Sequence, residues 1–245
     1  NIEKSLEEYR RAKTLPHVEI VGVDCHIGSQ VTQISPFIDA LERLKKLIGR
    51  LREEGIEIRY LDLGGGLGIT YNEEMPPHPE EYARAVIDSA RDLKVTFIFE
   101  PGRVIVGNAG ILVSKVLYTK GNEEKNFVIV DAGMNDLIRP SIYGSYHQIQ
   151  PVVIRDRGSF VADVVGPICE SGDFLAKGRM IPKFERGDLM AVMSAGAYGF
   201  SMASNYNSRP RIAEVLVKDK KFHVIRRREE YGDLTRGEKV PAYLK

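Results

Sequence analysis

The first hundred residues alternate between short apolar runs, polar loops and amphipathic stretches, and this alternation constrains the fold more than any other feature. Strands are predicted where β-branched and aromatic residues cluster, at 18–24, 56–63 and 95–99. Helices are predicted from the spacing of apolar residues, at 2–13, from 35 to near Gly55 and from 79 to about 93. Ser35 is expected to be an N-cap, with Pro36 at the first helical position. The alternation predicts an α/β fold with a parallel sheet, in which chemistry collects at the carboxyl ends of the strands.

After Arg103 the pattern changes, because the helical spacing disappears and Gly, Asp and Asn separate short apolar runs. Strands are predicted at 111–118, 127–130, 152–154, 160–165, 189–193, 212–217 and 222–225. Many short strands of this kind predict a mostly antiparallel barrel or sandwich. We therefore expect two domains, an α/β domain over 1–105 and an all-β domain over 106–245.

Charge and cysteine content argue against several classes of protein. The 35 Lys and Arg residues balance 34 Asp and Glu residues, whereas a nucleic-acid-binding protein usually carries a basic excess. No apolar run approaches the ~18 residues of a membrane span, so no membrane association is expected. The chain has only two cysteines, Cys25 and Cys169, which are too few for a disulfide framework and lack the spacing of a zinc site. So few cysteines are typical of a protein from a reducing compartment, here expected to be the cytoplasm.

Each predicted strand of the first domain ends in an unusual cluster, namely His26–Gln30, Gly64–Gly66 and Glu100–Arg103. The glycine run does not fit a dinucleotide-binding loop, because position 69 is Ile and no helix follows directly. It can be a tight turn, or it can leave backbone N–H groups free to face an anion. Glu100 and Arg103 can form a structural ion pair or serve a site. His26 can be a buried core histidine or a catalytic one, and Ser29 can be a turn residue.

The second domain adds three further clusters: Arg139–Tyr143 in a predicted loop region, Cys169–Asp173 and Ala195–Gly199. A lone cysteine is usually a small buried hydrophobe, but the Glu, Ser, Gly and Asp that follow Cys169 are unusual for a core. Tyr198 lies close to glycines on both sides and is poorly placed for a packed strand. Both residues are therefore candidates for a functional site.

Together these clusters suit pyridoxal phosphate. Glycine N–H groups can hold its phosphate, an acidic residue can pair with its pyridine nitrogen, and a planar side chain such as His26 can lie on its ring. A decarboxylase also needs an acid that delivers a proton after CO2 leaves, and Cys169 is a candidate for that acid.

The chain resembles the diaminopimelate decarboxylases, which are fold-type III, alanine-racemase-like pyridoxal phosphate enzymes. The resemblance covers essentially the whole chain and is carried by six motifs in order: HIGSQ (26–30), LGGGLGI (63–69), EPGR (100–103), RPSIY (139–143), CESGD (169–173) and AGAYGFSMASNYN (195–207). It implies the C-terminal part of a (β/α)8 barrel that binds the cofactor, followed by a β domain.

The resemblance also implies a cofactor-binding set: His26, Ser29, Gly64, Gly65, Gly66, Glu100, Gly102, Arg103 and Tyr198. In this set His26 stacks on the ring, Ser29 and the glycine backbone hold the phosphate, and Glu100 pairs with the pyridine nitrogen. No metal is implied.

The substrate-binding set implied by the resemblance is Arg103, Arg139, Tyr143, Glu170 and Tyr198. Cys169 is implied to be the proton donor and, with His26, forms the catalytic pair. Cys169 and Glu170 are implied to reach into the active site of a partner subunit, so a homodimer with shared active sites is expected.

One feature departs from the family. Its members carry the cofactor on a lysine early in the barrel, and no lysine here lies in such a context. Only three barrel strands are predicted, so about five βα units, on the order of 150 residues, are expected to be missing. The sequence also begins with Asn1 rather than Met. We therefore expect the chain to be the C-terminal portion of its parent protein and to be inactive alone.

The activity implied is decarboxylation of meso-2,6-diaminopimelate to L-lysine and CO2, a step of lysine biosynthesis. Arg139, Tyr143 and Glu170 suit a second zwitterionic end of the substrate, because a guanidinium can bind a carboxylate in bidentate fashion. A decarboxylase of ornithine, arginine or carboxynorspermidine is the nearest enzyme alternative. A non-catalytic regulatory homologue is a further alternative, against which Cys169 and Glu100 argue.

Overall fold

The computed structural model describes residues 2–244 and divides into two compact units, Asn1–Val106 and Gly107–Lys245. The first, here called the α/β unit, contains helices α1 (Ile2–Lys13), α2 (Ser35–Glu53) and α3 (Pro79–Ala90) and strands β1 (Gly22–Asp24), β2 (Tyr60–Asp62) and β3 (Thr96–Ile98). The strands form one sheet in the order β1-β2-β3 and both pairs are parallel. The predicted parallel sheet is confirmed, although each strand is shorter than predicted.

The apolar stripe of α2 forms much of the core of this unit. All five residues that define its spacing are buried: Phe37, Leu41, Leu44, Ile48 and Leu51. Gly55, at a positive φ of 68°, ends the helix, and Ile56 N–H donates to Leu51 O at 2.9 Å. The predicted cap is wrong, because Ser35 is already helical and the preceding residue, Ile34, makes no side-chain cap.

Helix α3 begins where predicted but ends at Ala90 rather than near Leu93. His78 caps its N-terminus, because its Nδ1 accepts from Glu80 N–H at 3.3 Å. The Glu81 carboxylate in turn accepts from His78 N–H at 3.0 Å. This cap fixes where the polar segment after β2 ends.

The second unit, here called the β unit, is built on a six-stranded sheet in the order β6-β9-β4-β5-β7-β8. Its strands are β4 (Leu112–Gly121), β5 (Asn126–Val130), β6 (Ile149–Pro151), β7 (Ser159–Val165), β8 (Phe174–Pro182) and β9 (Leu189–Val192). Every pair is antiparallel except β5 with β7, so the predicted mostly antiparallel fold is confirmed. A buried apolar cluster packs against it and includes Val116, Val128, Val164 and Met190.

In this unit one strand was missed and two predictions are wrong. Strand β8 was not predicted, because Lys177–Arg179 interrupts its apolar pattern. The strand predicted at 152–154 lies at 149–151, where Ile149 is buried beside Val192. The predicted loop at Arg139–Tyr143 is a short helix, α4, which Gly144 ends at a φ of 60°.

The remaining elements are a separate hairpin and a short helix. The hairpin pairs β10 (Glu214–Lys218) with β11 (Lys221–Arg226), close to the predicted positions, and α5 covers Tyr231–Leu234. No helix within residues 2–244 is long and apolar enough to cross a membrane.

Candidate active site

Three loops follow β1, β2 and β3 at the carboxyl edge of the parallel sheet and are joined by backbone hydrogen bonds. Glu100 N–H donates to Gly64 O at 2.9 Å, and Val31 N–H donates to Gly66 O at 2.8 Å. The side chain of Gln30 bonds both backbone groups of Ile69, at 2.5 and 3.1 Å. The expected clusters of the α/β unit therefore form one continuous rim.

The glycine run is required because the loops approach too closely for side chains. A Cβ on Gly65 would lie far inside van der Waals contact with Glu100 O, and a Cβ on Gly66 would do so with Gly28 O. Gly66 also has a positive φ of 100°. The rim thus presents bare backbone, as a site for a tightly held anion requires.

The glycine run could be a tight turn or could leave its N–H groups free, and two of the three N–H groups have acceptors within the α/β unit. Gly64 N–H donates to Asp62 Oδ1 at 2.8 Å, and Gly65 N–H donates to His26 Nδ1 at 3.3 Å. Gly66 N–H donates to no acceptor within residues 2–244. Any anion bound by this run would therefore be held chiefly at Gly66, because Asp62 and His26 already accept from the other two donors.

Arg103 joins the loops by its side chain. Its Nη2 donates to Ser29 Oγ at 3.1 Å and its Nη1 donates to the Tyr71 hydroxyl at 3.3 Å. Tyr71 was not expected at the site. The alternative of an ion pair between Glu100 and Arg103 is not seen, and the Glu100 carboxylate has no hydrogen bond or ion pair among the described residues. Gly102, next to Arg103, accepts from Ile105 N–H in a turn.

His26 is exposed at the rim, so it is not the core histidine considered as an alternative. Its Nδ1 accepts from Gly65 N–H, which leaves Nε2 to carry the ring proton in the neutral form. The adjacent Cys25 packs against the apolar core instead, and burial raises the pKa of its thiol. This position is typical of a cysteine that packs as a small hydrophobic residue.

In the β unit, α4 carries two expected substrate residues one turn apart. Arg139 is 6% exposed and its Nη1 lies 3.1 Å from His147 Nε2. Tyr143, at the last residue of the helix, is 66% exposed. His147 was not predicted, because nothing near it in the sequence indicates a partner for Arg139.

The loop that carries Cys169 and Glu170 is fixed by one buried carboxylate. Asp173 accepts from Met134 N–H at 2.7 Å and from Ile168 N–H at 2.6 Å. The backbone of Gly172 packs against α4, because a Cβ there would lie 2.6 Å from Ser141 Oγ. Cys169 itself is an exposed free thiol. The structure therefore places the predicted proton donor on a rigid loop beside the helix of Arg139 and Tyr143.

Glu170 is held by a residue of the last motif. The hydroxyl of Tyr206 donates to Glu170 Oε2 at 3.1 Å, and this carboxylate raises the pKa of Tyr206. Arg209 anchors the same segment, because it donates to Asn135 Oδ1 at 3.0 Å and to Asp131 O at 2.7 Å. The last sequence motif includes Tyr206, but only the structure shows that Tyr206 donates a hydrogen bond to Glu170.

Tyr198 lies in a strained backbone, with a φ of 59° that a tyrosine rarely adopts. The next residue, Gly199, packs its backbone so tightly against Ala195 O that a Cβ would not fit. Tyr198 is 40% exposed. Such strain at an exposed aromatic residue is typical of functional sites.

The expected site residues thus form two groups, one in each unit. The α/β unit holds the residues expected at the cofactor, including Arg103, which is expected at the substrate as well. The β unit holds the other residues expected at the substrate, including Tyr198, which is also expected at the cofactor. Residues 2–244 contain no group of three His, Cys, Asp or Glu side chains that could hold a metal ion.

Residues 24–196 match the model of the pyridoxal-dependent decarboxylase, C-terminal sheet domain. The chain is 54% identical over 239 residues to the diaminopimelate decarboxylase of Pseudomonas aeruginosa, covering 98% of this chain and 57% of that protein. A crystal structure of the Helicobacter pylori diaminopimelate decarboxylase complexed with L-lysine superposes with a TM-score of 0.85 at 42% identity, covering 96% of this chain and 59% of that one.

A crystal structure of a protein from Aquifex aeolicus superposes with a TM-score of 0.91 at 51% identity, covering 96% of this chain and 59% of that one. The chain therefore spans a little over half the length of the relatives that it matches. The family match extends across both units and includes the glycine run, α4 and the loop of Cys169. On this evidence, the chain belongs to the pyridoxal-dependent decarboxylases.

Proposed function

We propose that the protein of which this chain is a part decarboxylates meso-2,6-diaminopimelate to L-lysine and CO2, using pyridoxal phosphate, as a step of lysine biosynthesis. The observation that carries this proposal is the arrangement around α4. A buried guanidinium on Arg139, a phenol on Tyr143 and a carboxylate on the adjoining Glu170 loop lie in one unit. A guanidinium for a carboxylate and a carboxylate for an ammonium group suit both charges of a distal amino-acid group, rather than a tail that carries only a positive charge.

The rim of the α/β unit fits the cofactor. Its phosphate would be held by the N–H of Gly66, the hydroxyl of Ser29 and the positive charge of Arg103, where the crowded backbone excludes side chains. The His26 ring would pack on the pyridine ring, and Gly102 and Tyr198 complete the proposed binding set. Glu100, whose carboxylate has no partner among residues 2–244, would hold a proton on the pyridine nitrogen.

When bound, the cofactor supplies a conjugated ring that accepts the electron pair of the breaking carbon–carboxylate bond. The remaining steps belong to the side chains. Arg139 and Tyr143, together with Glu170 of the partner subunit, would hold the distal end, so that only one carboxylate reaches the reacting position. Cys169 would then deliver the proton that replaces CO2.

The proposal includes a homodimer in which Cys169 and Glu170 serve the site of the partner subunit. Support comes from their exposure on a loop whose base is fixed by Asp173, so that both side chains project from a rigid support. A cytoplasmic location is also part of the proposal, because both cysteines are free thiols, as in proteins of reducing compartments.

The test compares kcat/KM for meso-diaminopimelate, ornithine and arginine in the complete protein and its Arg139→Ala variant. Leaving a buried guanidinium without a carboxylate costs on the order of 3–5 kcal/mol, a discrimination of roughly a hundredfold or more. We expect the wild type to favour diaminopimelate by that margin, and the variant to lose activity chiefly on that substrate. Arg186→Ala, at an exposed arginine of the same unit, should leave all three values unchanged.

Two outcomes would contradict the proposal in different ways. Preference of the wild type for ornithine or arginine would assign the protein to a related decarboxylase. Complete inactivity with cofactor bound would favour a regulatory homologue.

A further inference from the structure

The β unit contains a buried histidine, His147, that the proposed function does not use. It lies between α4 and β6 and its side chain is fully shielded from solvent. Strand pairing fixes its position, because Ile149 pairs with Val192 and Met193 N–H donates to Gln148 O at 2.8 Å. His147 is therefore held at the end of β9, where the segment leading to Tyr198 begins.

Both ring nitrogens of His147 have partners that determine its tautomer. Nδ1 lies 2.8 Å from Met193 O, and Nε2 lies 3.1 Å from Nη1 of Arg139. A carbonyl oxygen can only accept and a guanidinium can only donate. The proton must therefore be on Nδ1, and Nε2 must accept from Arg139. These partners assign the neutral Nδ1–H form.

The surroundings also oppose a second proton on this ring. A proton on Nε2 would face the guanidinium of Arg139, and Arg179 on β8 donates to the backbone oxygen of His147. Burial, together with these two positive charges, lowers the pKa of His147 to about 4, although the bond to Met193 O acts in the opposite direction. The ring is thus neutral at neutral pH.

A neutral partner has a specific consequence for Arg139. Proteins commonly orient a buried arginine with Asp or Glu, but a carboxylate would neutralise the guanidinium and compete with a carboxylate of the substrate. A neutral imidazole nitrogen orients the guanidinium and, unlike a carboxylate, does not itself cancel its positive charge. We propose that His147 is a positioning residue for substrate recognition, which fixes Arg139 for the distal carboxylate without neutralising it. This inference rests on the proposed function, which supplies that carboxylate.

Three variants of the complete enzyme separate orientation from charge. His147→Asn can still donate to Met193 O, but its shorter side chain offers Arg139 no acceptor. His147→Gln places an amide oxygen within reach of Arg139. His147→Glu has nearly the same shape as Gln but adds a negative charge. His17→Asn, at an exposed histidine of the α/β unit, is the control for the substitution itself.

The expected result is a change in KM for meso-diaminopimelate without a comparable change in kcat. Loss of a hydrogen bond to a charged group should raise KM about 10-fold or more in His147→Asn. His147→Gln should restore KM to near the wild-type value, and His147→Glu should raise it again because Arg139 is neutralised. Cofactor absorbance should be the same in all variants, since His147 belongs to the substrate group.

The inference is overturned if His147→Asn keeps the wild-type KM, or if Gln and Glu behave alike. Equal losses of cofactor and kcat in all three variants would likewise overturn it, because they would indicate a purely structural role. A wild type that prefers ornithine would instead contradict the proposed function, and the distal carboxylate with it. The two failures are therefore distinguishable in one set of measurements.

Discussion

The two units hold their expected site residues by different means. In the α/β unit the rim is built from backbone, because loops at three strand ends approach so closely that Gly65 and Gly66 exclude any side chain. In the β unit the site is built from side chains that are fixed by buried polar partners, as Arg139 is by His147 and the Cys169 loop is by Asp173. The first arrangement tolerates no added atom, whereas the second depends on individual hydrogen bonds. Substitutions in the two units should therefore have different effects on cofactor binding and on substrate binding.

The largest expected effect is that of Gly66→Ala. Its Cβ would collide with Gly28 O at a backbone φ of 100°, and such strain and overpacking together cost about 2–5 kcal/mol. We expect loss of cofactor binding and of activity, measured by absorbance of the bound cofactor and by turnover. Gly49→Ala in α2, where a Cβ meets nothing within 4 Å, should instead stabilise the protein slightly. Normal cofactor content in Gly66→Ala would disprove the backbone-built rim.

In the β unit, Cys169→Ala should affect chemistry and not binding. Removal of a general acid typically lowers turnover by ~10²–10⁴-fold. Cofactor content and the KM for diaminopimelate should stay near their wild-type values, because no contact that fixes the loop involves this thiol. The matched control is Cys25→Ala, at the partly buried cysteine behind the rim. If turnover of Cys169→Ala matches that of the control, Cys169 has no part in the mechanism.

A pH dependence of stability tests the polar partnership of the β unit. The pKa of His147 is lowered to about 4 by burial and by Arg139 and Arg179, from 6.5 in the unfolded chain. As the pH falls, the unfolded state therefore binds the extra proton before the folded state does. The contribution of neutral His147 to the free energy of unfolding is fully present above pH 6.5 and is lost as the pH falls towards 4. It amounts to at most about 3 kcal/mol.

The measurement is the free energy of unfolding at pH 7.5 and pH 4.5 for the wild type and His147→Gln. The wild type should lose more stability than the variant across this interval. In the wild type the unfolded state takes up a proton at His147, whereas the variant has no group at position 147 that titrates in this range. An identical loss in both proteins would mean that His147 is not held neutral in the folded state.

The smallest expected effect is that of Tyr206→Phe, which removes the hydroxyl that donates to Glu170 at 3.1 Å. The pair is solvent-exposed, so KM for diaminopimelate should rise only about 2- to 5-fold, with kcat little changed. Tyr118→Phe, at an exposed tyrosine on β4, is the control. A rise of KM as large as that expected for His147→Asn would show that exposed and buried partners matter equally, which would weaken the comparison between the units.

Sequence patterns were sufficient to predict the parallel sheet, the core face of α2 and the rim motifs. These depend on local properties, namely the period of apolar residues and the conformational freedom of glycine at strand ends. Sequence patterns also identified the motifs of the β unit, but not what holds them. The motifs left open whether the N–H groups of Gly64 and Gly65 are free, and only the structure places Asp62 and His26 within hydrogen-bonding distance of them.

The hydrogen-bond partners in the β unit depend on the tertiary fold and could not be read from any local pattern. His147 meets Met193, 46 residues away, because β6 pairs with β9, and Asp173 meets Met134 across 39 residues. The same sheet explains why β8 forms and why β6 lies at 149–151. In both segments, burial beside neighbouring strands determines the strand position more strongly than local residue composition does. A hydrogen bond between residues distant in sequence depends on strand order and register, and neither quantity is encoded in a local pattern of residue types.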